Sequence, residues 1–234
     1  MTRADAGSRL MKGLETSRVD LVVACPMTVG VFWVAPFVAA TGAPVSDIRD
    51  FPPAHVYAQL DTLGVDLAVG TMKPPEGLAM RMVGRPRLTV QYPASSPWAL
   101  SEPGLKRLEG VELAALKGLP LLVPARGSAT RHELDAVAAA HEIPLTYVRE
   151  VASGTVAQSL AAAGRGLAVA AEAPQFGLQA SYLQADGVDL AISDWAAWDP
   201  HHYAAPEIEQ VVIQMEEWVR GRFGVLSDPD LGRI

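Results

Sequence analysis

The stretch VREVASGTVAQSLAAAGRGLAVAAEA, residues 148–173, decides the fold. It begins in a strand, Leu145–Glu150. Ser153-Gly154 caps a helix over Thr155–Ala163, Gly164-Arg165-Gly166 stops that helix, and an apolar run, Leu167–Ala171, forms the next strand. Strand, helix, strand in this order is the signature of a right-handed parallel sheet. Upstream, Leu119–Val123 reads as a strand, Arg126-Gly127-Ser128-Ala129 as a polar turn and Thr130–His141 as an amphipathic helix. The first half runs through the same cycle. VDLVVAC, residues 19–25, has the β-branched, all-apolar character of a strand buried on both faces. Pro26-Met27-Thr28 turns into an apolar helix that ends at Gly42, with Thr28 placed to cap its start and Pro36 expected to kink it. Strands follow at Pro44–Asp50, Val65–Gly70 and Leu88–Tyr92, with a helix at His55–Leu63. Two similar strand–helix series predict two similar lobes.

The remaining segments frame these lobes. Thr2–Ser17 reads as a short helix outside the main core, and Pro93–Pro103 as a crossover loop. After a strand near Val188–Ser193 comes an aromatic loop, DWAAWDPHHY, with Trp195 and Trp198. A closing helix over Ala205–Arg222 follows, whose apolar residues recur at three- and four-residue spacings; Trp218 is expected on its core face.

The 234 residues are 50% hydrophobic, enough to bury a substantial core. The net charge of −7 gives the chain no global attraction to nucleic acid or an anionic membrane. One cysteine, Cys25, cannot form an internal disulfide. The first twenty residues lack the apolar core of a signal peptide, and no run is long and apolar enough to span a bilayer. These features place the chain in the cytoplasm, without a membrane partner.

Chemistry is scarce. No CxxC, HExxH or GxSxG motif is present, and His201-His202 is the sole histidine pair, so neither a metal nor a cofactor is expected. Cys25 ends a strand, where nucleophiles can sit, but no histidine stands at a recognisable spacing; a buried apolar role suits it better. The segment ARGSATR, 125–131, lies between strand and helix but lacks the lysine of a P-loop. No catalytic residue emerges, and an enzyme is not expected.

The strand-to-helix turns are the recurring polar feature. In open α/β sheets ligands bind beyond the carboxyl ends of the strands, where such turns lie. Pro26, Met27 and Thr28 in the first lobe, and Gly127, Ser128, Ala129 and Ser153 in the second, are the candidate ligand-binding residues. A cleft between two such lobes would suit a small polar or anionic ligand.

The ordered set of segments resembles the effector-binding domain of LysR-type transcriptional regulators, from about Val19 to Arg222. VDLVVACPMTVGVFWVAPFVAATG is similar to that family's first strand, turn and proline-containing helix, and GVDLAVG to its xxDLAIG strand. LTVQYPASSPWA resembles its strand and pxxHPLA segment, with Ser96 in place of the usual histidine. The 148–173 stretch resembles its strand, helix and VAAGLGIALLP run, and HHYAAPEIEQVVIQMEEWVRGRF its closing helix.

The resemblance implies an α/β fold of the type 2 periplasmic-binding-protein kind, with two lobes built on mixed, mainly parallel sheets. Residues 19–90 with 193–234 would form lobe I, 91–192 lobe II, and 1–18 a remnant linker helix. It implies a small-molecule effector in the interlobe cleft and a homodimer. It adds Pro53 and Ala54, in the turn opening the second helix, to the ligand-binding set; the family often has Ser or Thr there and this sequence has neither. MTRADAGSRLM resembles the LTxAGxxLL segment that follows the family's winged helix-turn-helix, so DNA binding is expected only through such a domain and not through these residues. A truncated piece, a mis-assigned start and a natural stand-alone sensor all remain open. The alternative roles are a stand-alone solute-binding protein and an enzyme on the same scaffold.

Overall fold

The computed structural model describes residues 19–62, 64–98 and 110–223. The helix expected over Thr2–Ser17 and the later part of the Pro93–Pro103 loop lie outside these residues. The chain divides into two compact units. One comprises the segments up to Arg85 and from Ser193 onward; the other runs Pro86–Ile192.

The first unit holds a five-stranded sheet. Its strands are β1 (Leu21–Cys25), β2 (Val45–Asp50), β3 (Leu67–Gly70), β4 (Ala79–Gly84) and β12 (Asp194–Trp198), in the order β2-β1-β3-β12-β4. The β2-β1-β3 half is parallel, while β12 runs antiparallel to both β3 and β4. The second unit holds β5 (Thr89–Tyr92), β6 (Gly110–Glu112), β7 (Leu121–Pro124), β8 (Tyr147–Val151), β9 (Leu167–Ala170), β10 (Gln179–Ala185) and β11 (Val188–Asp189). Their order is β11-β10-β5-β9-β7-β8, with β6 on β10. Here β8-β7-β9 is parallel, and β5 pairs antiparallel with β9 and β10. Parallel pairing thus marks the two strand–helix–strand series, and the short β6 also pairs parallel with β10. The first crossing falls at Arg85–Pro86 rather than after residue 90, because β5 is hydrogen-bonded into the second sheet from Thr89.

β1, β3, β7 and β9 are buried along their whole length, which is why they are continuous apolar runs. On one face of the first sheet Leu21, Val23, Val34 and Phe37 pack with Ile208 and Val212 of the closing helix, α4 (Ala205–Phe223). Leu88, Val90, Leu121, Leu134 and Leu167 anchor the larger core of the second unit.

Several elements differ from the sequence expectation. The first helix, α1, spans residues 27–41 but is not uniform: Met27–Val29 and Ala35–Thr41 are α-helical, and Gly30–Val34 forms a π turn. The wide turn immediately precedes Pro36, which has no N–H to donate, so the ring is accommodated where the α pattern is already broken. Thr28 does not cap this helix. The capping position is Pro26, which makes no side-chain cap bond, and Thr28 is exposed inside the first turn. The helix expected at His55–Leu63 is two 3₁₀ segments, Pro53–His55 and Tyr57–Asp61. Pro52 and Pro53 lack the N–H groups that an α-helical start would use. The aromatic loop is instead strand β12, with Trp198 in the core; Trp218 is half-buried and meets Phe37 edge-on, ring centroids 6.0 Å apart.

The remaining helices, α2 (Ala129–Ala140) and α3 (Gly154–Ala162), lie where the sequence places them. The Gly164-Arg165-Gly166 stop is made by Gly164, which takes the left-handed conformation at φ +72° while the Gly164 and Arg165 N–H groups donate back to the Ala161 and Leu160 carbonyls. Gly166 adopts φ +150°, and a Cβ there would come 2.6 Å from the Pro120 carbonyl oxygen, which accepts the Leu167 N–H. We expect Gly166→Ala to cost about 2 kcal/mol, from backbone strain together with the clash. Urea unfolding measures this, and a loss below 0.5 kcal/mol would contradict it.

Candidate functional site

Adjacent parallel strands bring the predicted turns together within each unit. In the first, Cys25 pairs with Asp50 and the Phe51 N–H donates to the Cys25 carbonyl at 3.0 Å. Pro26–Thr28 after β1 and Pro53-Ala54 after β2 therefore stand at one edge of the sheet. Met27, Thr28 and Ala54 are exposed and Pro53 is half-buried. In the second unit Pro124 pairs with Val151, and the Ala125 N–H donates to the Val151 carbonyl at 2.8 Å. This sets Gly127-Ser128-Ala129 beside Ser153, again at the carboxyl edge.

Both serines cap their helices. Ser128 Oγ accepts from the Arg131 N–H at 3.2 Å, and Ser153 Oγ from the Val156 N–H at 3.3 Å. Each hydroxyl serves as an acceptor, so its own proton is free to donate to a bound molecule. Gly127 sits at φ +95°, a conformation natural to glycine, and leads into the capped turn.

The charges around these turns are decided by tertiary contacts. Arg131 opens α2 but does not serve as an anion anchor. Its guanidinium is buried under the Tyr147 ring, 4.3 Å from the centroid, with Asp135 at 2.7 Å and Glu150 at 2.9 Å. The Tyr147 hydroxyl donates to Asp135 at 2.6 Å. The hydrogen bond from Arg131 holds the Glu150 carboxyl below the usual range. At α3, the Glu172 carboxyl lies over Gly154 and accepts the Ala171 N–H at 3.1 Å. Burial raises Glu172 above the usual carboxylate range. A carboxyl group therefore already covers the start of α3 beside Ser153, and the Glu150 carboxylate lies between Arg126 and Arg131, on either side of the Gly127-Ser128-Ala129 turn.

Three groups escaped the sequence reading. Tyr57 donates to the Met72 carbonyl at 2.6 Å and lies against Gly70, where a Cβ would meet its hydroxyl. Asp194, on β12, is 2% exposed, and burial pushes its carboxyl up to about 8. Glu172 follows β9 with no local motif to mark it. Cys25 is buried, as expected; burial, then the nearby Asp50 charge, raise its thiol to about 12, so it stays protonated and is a poor nucleophile. His202 donates Nε2–H toward Asp66 at 3.3 Å and accepts the Ala204 N–H on Nδ1, a structural role. No group of three or more metal-ligating side chains converges among the described residues. No helix among them is long and apolar enough to cross a membrane.

Two α/β units, each with a parallel strand–helix–strand series and an antiparallel strand from a distant segment inside its sheet, β12 in the first and β5 in the second, define the type 2 periplasmic-binding-protein class. Within that class, residues 15–220 match the family model described as the LysR substrate binding domain, and the chain belongs to this family. It is an effector-binding domain of the LysR regulator type. Solved structures agree on the fold. A mutant of Corynebacterium glutamicum OxyR superposes with a TM-score of 0.73 at 19% identity, over 96% of this chain and 74% of that one. The BenM effector binding domain with its effector benzoate gives 0.67 at 16%, over 90% and 96%. The Synechocystis CcmR regulatory domain in complex with 2-PG gives 0.64 at 16%, over 86% and 97%. A search of curated proteins finds no match.

Proposed function

We propose that this chain senses a small polar or anionic metabolite and is the regulatory part of a LysR-type transcriptional regulator. The observation that carries this is the pair of capped turns after β7 and β8. Ser128 is held in place by its own helix and keeps a proton to donate. Gly127, Ser128 and Ala129 are proposed as the ligand contacts of the second unit, with Ser153 at their side. Pro26, Met27, Thr28, Pro53 and Ala54 are proposed for the first. Relatives of this fold solved with benzoate and with 2-PG support a small organic acid as the kind of molecule sensed. In this reading the protein is a cytoplasmic homodimer without catalytic activity, and DNA is met by a helix-turn-helix rather than by these residues. The protonated Cys25 thiol supports the absence of nucleophilic chemistry.

A thermal-shift screen of organic acids and aromatic carboxylates tests this. A ligand at a hundred times its Kd stabilises by about 2.7 kcal/mol, an easily read rise in Tm. Ser128→Ala removes a helix cap and lowers the unliganded stability by about 1 kcal/mol, so the ligand-induced shift is compared within each variant. The expected result is a shift that shrinks at least roughly tenfold in apparent affinity on Ser128→Ala or Thr28→Ala, a loss of about 1.4 kcal/mol. A screen in which no shift depends on either residue would remove the proposed site.

A further inference from the structure

We infer that the acid sensed by the second unit also carries an ammonium group, which the turn after β9 receives at Glu172 while the Ser128 turn receives the carboxylate. The inference rests on the effector reading and narrows its ligand class from small organic acids to small amino acids.

The acceptors for such a group are already assembled. The Glu172 carboxyl lies over Gly154, the first residue of α3, where a Cβ would come 2.6 Å from Glu172 Cδ and Oε1. Gln158 stands four residues further along α3, on the same helical face. Helical side chains lean back toward the N-terminus, so its amide is directed at the loop that carries Glu172. Gln158 is fully buried and donates to the Ala173 carbonyl at 3.0 Å. Gln91 of β5, equally buried, reaches the same loop from the sheet and donates to the Glu172 carbonyl at 2.8 Å and to Thr89 Oγ1 at 2.9 Å. These acceptors fix which end of each amide is the NH2 group. Both amide oxygens are buried, and neither accepts a hydrogen bond. An acceptor left in this state costs free energy until a donor arrives.

The Glu172 carboxyl also lacks a cation. Burial raises it, and the backbone N–H groups of Glu172 and Ala171 are all that oppose the rise. The α3 sequence, GTVAQSLAA, has no charged residue. One carboxyl and two amide oxygens, with no positive charge among them, match the three donors and single charge of an ammonium. A hydroxyl brings one donor and no charge, and a carboxylate would add repulsion. In the sheet order β7 lies between β8 and β9, so the Gly127-Ser128-Ala129 turn stands between Ser153 and Glu172 along one carboxyl edge. That edge offers a hydroxyl donor for a carboxylate beside acceptors for an ammonium.

The full chain is titrated by calorimetry with each standard amino acid and with the acid that lacks its amino group, phenylalanine beside 3-phenylpropionate and leucine beside 4-methylpentanoate among them. The tightest ligand is expected to be an amino acid, weakened at least roughly tenfold when its amino group is removed. Glu172→Gln should weaken the amino acid by a similar factor and leave the plain acid unchanged. Gly154→Ala, whose Cβ pushes the carboxyl aside, should act in the same direction. An ammonium favours the charged form of Glu172, so affinity should rise from pH 5 to pH 7.5 with release of a proton, and Glu172→Gln should flatten that rise. The other titratable groups at this edge, Glu150 with Arg126 and Arg131, and His132 of α2, are common to both proteins. A plain acid that binds as tightly as its amino acid, or an amino acid whose affinity ignores both variants, overturns the inference. So does a series in which no amino acid binds. A plain acid whose binding needs Ser128 but not Glu172 would sink the inference and leave the effector reading standing. An amino acid that needs Glu172 but not Ser128 would keep the ammonium subsite and remove the Ser128 contact.

Discussion

Asp194→Asn is expected to stabilise the protein at neutral pH and to destabilise it near pH 4. Asp194 is buried on β12, paired with Gly84 where the chain re-enters the first unit. Burial penalises its charged form and pushes the carboxyl up to about 8. An unfolded aspartate titrates near 3.9. Between these values the folded chain holds a proton that the unfolded chain has released, so stability falls as pH rises through the window. At pH 7 the cost approaches ~4 kcal/mol as an upper bound, three pH units at about 1.4 kcal/mol each. Asparagine is neutral throughout and removes that dependence, but its buried amide adds donors that need partners. A net gain of about 2 kcal/mol at pH 7 is the expected balance. Urea midpoints at pH 4.5 and 7.5 check it. The variant should be the less stable protein at the lower pH and the more stable at the higher, and parallel behaviour would mean that Asp194 is ionised in the fold.

Phe37→Ala should cost about 3–5 kcal/mol, as for other large core aromatics cut back to alanine. Phe37 is fully buried in the cluster that joins α1 to β1 and α4, and it meets Trp218 edge-on at 6.0 Å. The cavity cannot collapse easily, because α1 is held at its far end by Gly42 in the left-handed conformation and by Thr41, whose hydroxyl donates to the Phe37 carbonyl. Phe37→Leu keeps most of the volume and should lose less than about 1.5 kcal/mol. Denaturant unfolding of both variants measures the difference. Since α1 also carries Met27 and Thr28, the alanine variant should weaken ligand-induced shifts as well as stability. A loss under 1 kcal/mol would show that Phe37 is not a core residue.

The legible parts of the fold were those with local causes. LVVAC, LLVP and LAVA could be read as strands because burial on both faces demands unbroken apolar runs. The end of α3 could be read because glycine favours the left-handed turn that Gly164 makes at φ +72°. AMRMVG and DWAAW were not legible as strands β4 and β12. Their mixed composition has neither a continuous run nor a clean alternation, and each is held by the other across a long sequence separation. Thr28 misled as a cap because a hydroxyl beside a helix start is a good local signal, while the backbone placed Pro26 there instead.

The candidate site divides the same way. The sequence by itself determined the family, the two strand–helix series and the positions of the turns, since glycine, proline and capping serines act through their nearest neighbours. Only the tertiary structure decided what those turns can do. Arg131 is neutralised by Asp135 and Glu150, Glu172 closes over Gly154, and Asp50 meets Cys25 across β1 and β2. Charge and burial are set by groups that arrive from distant segments, so no local pattern could say that Arg131 is tied up or that a carboxyl lies over the start of α3.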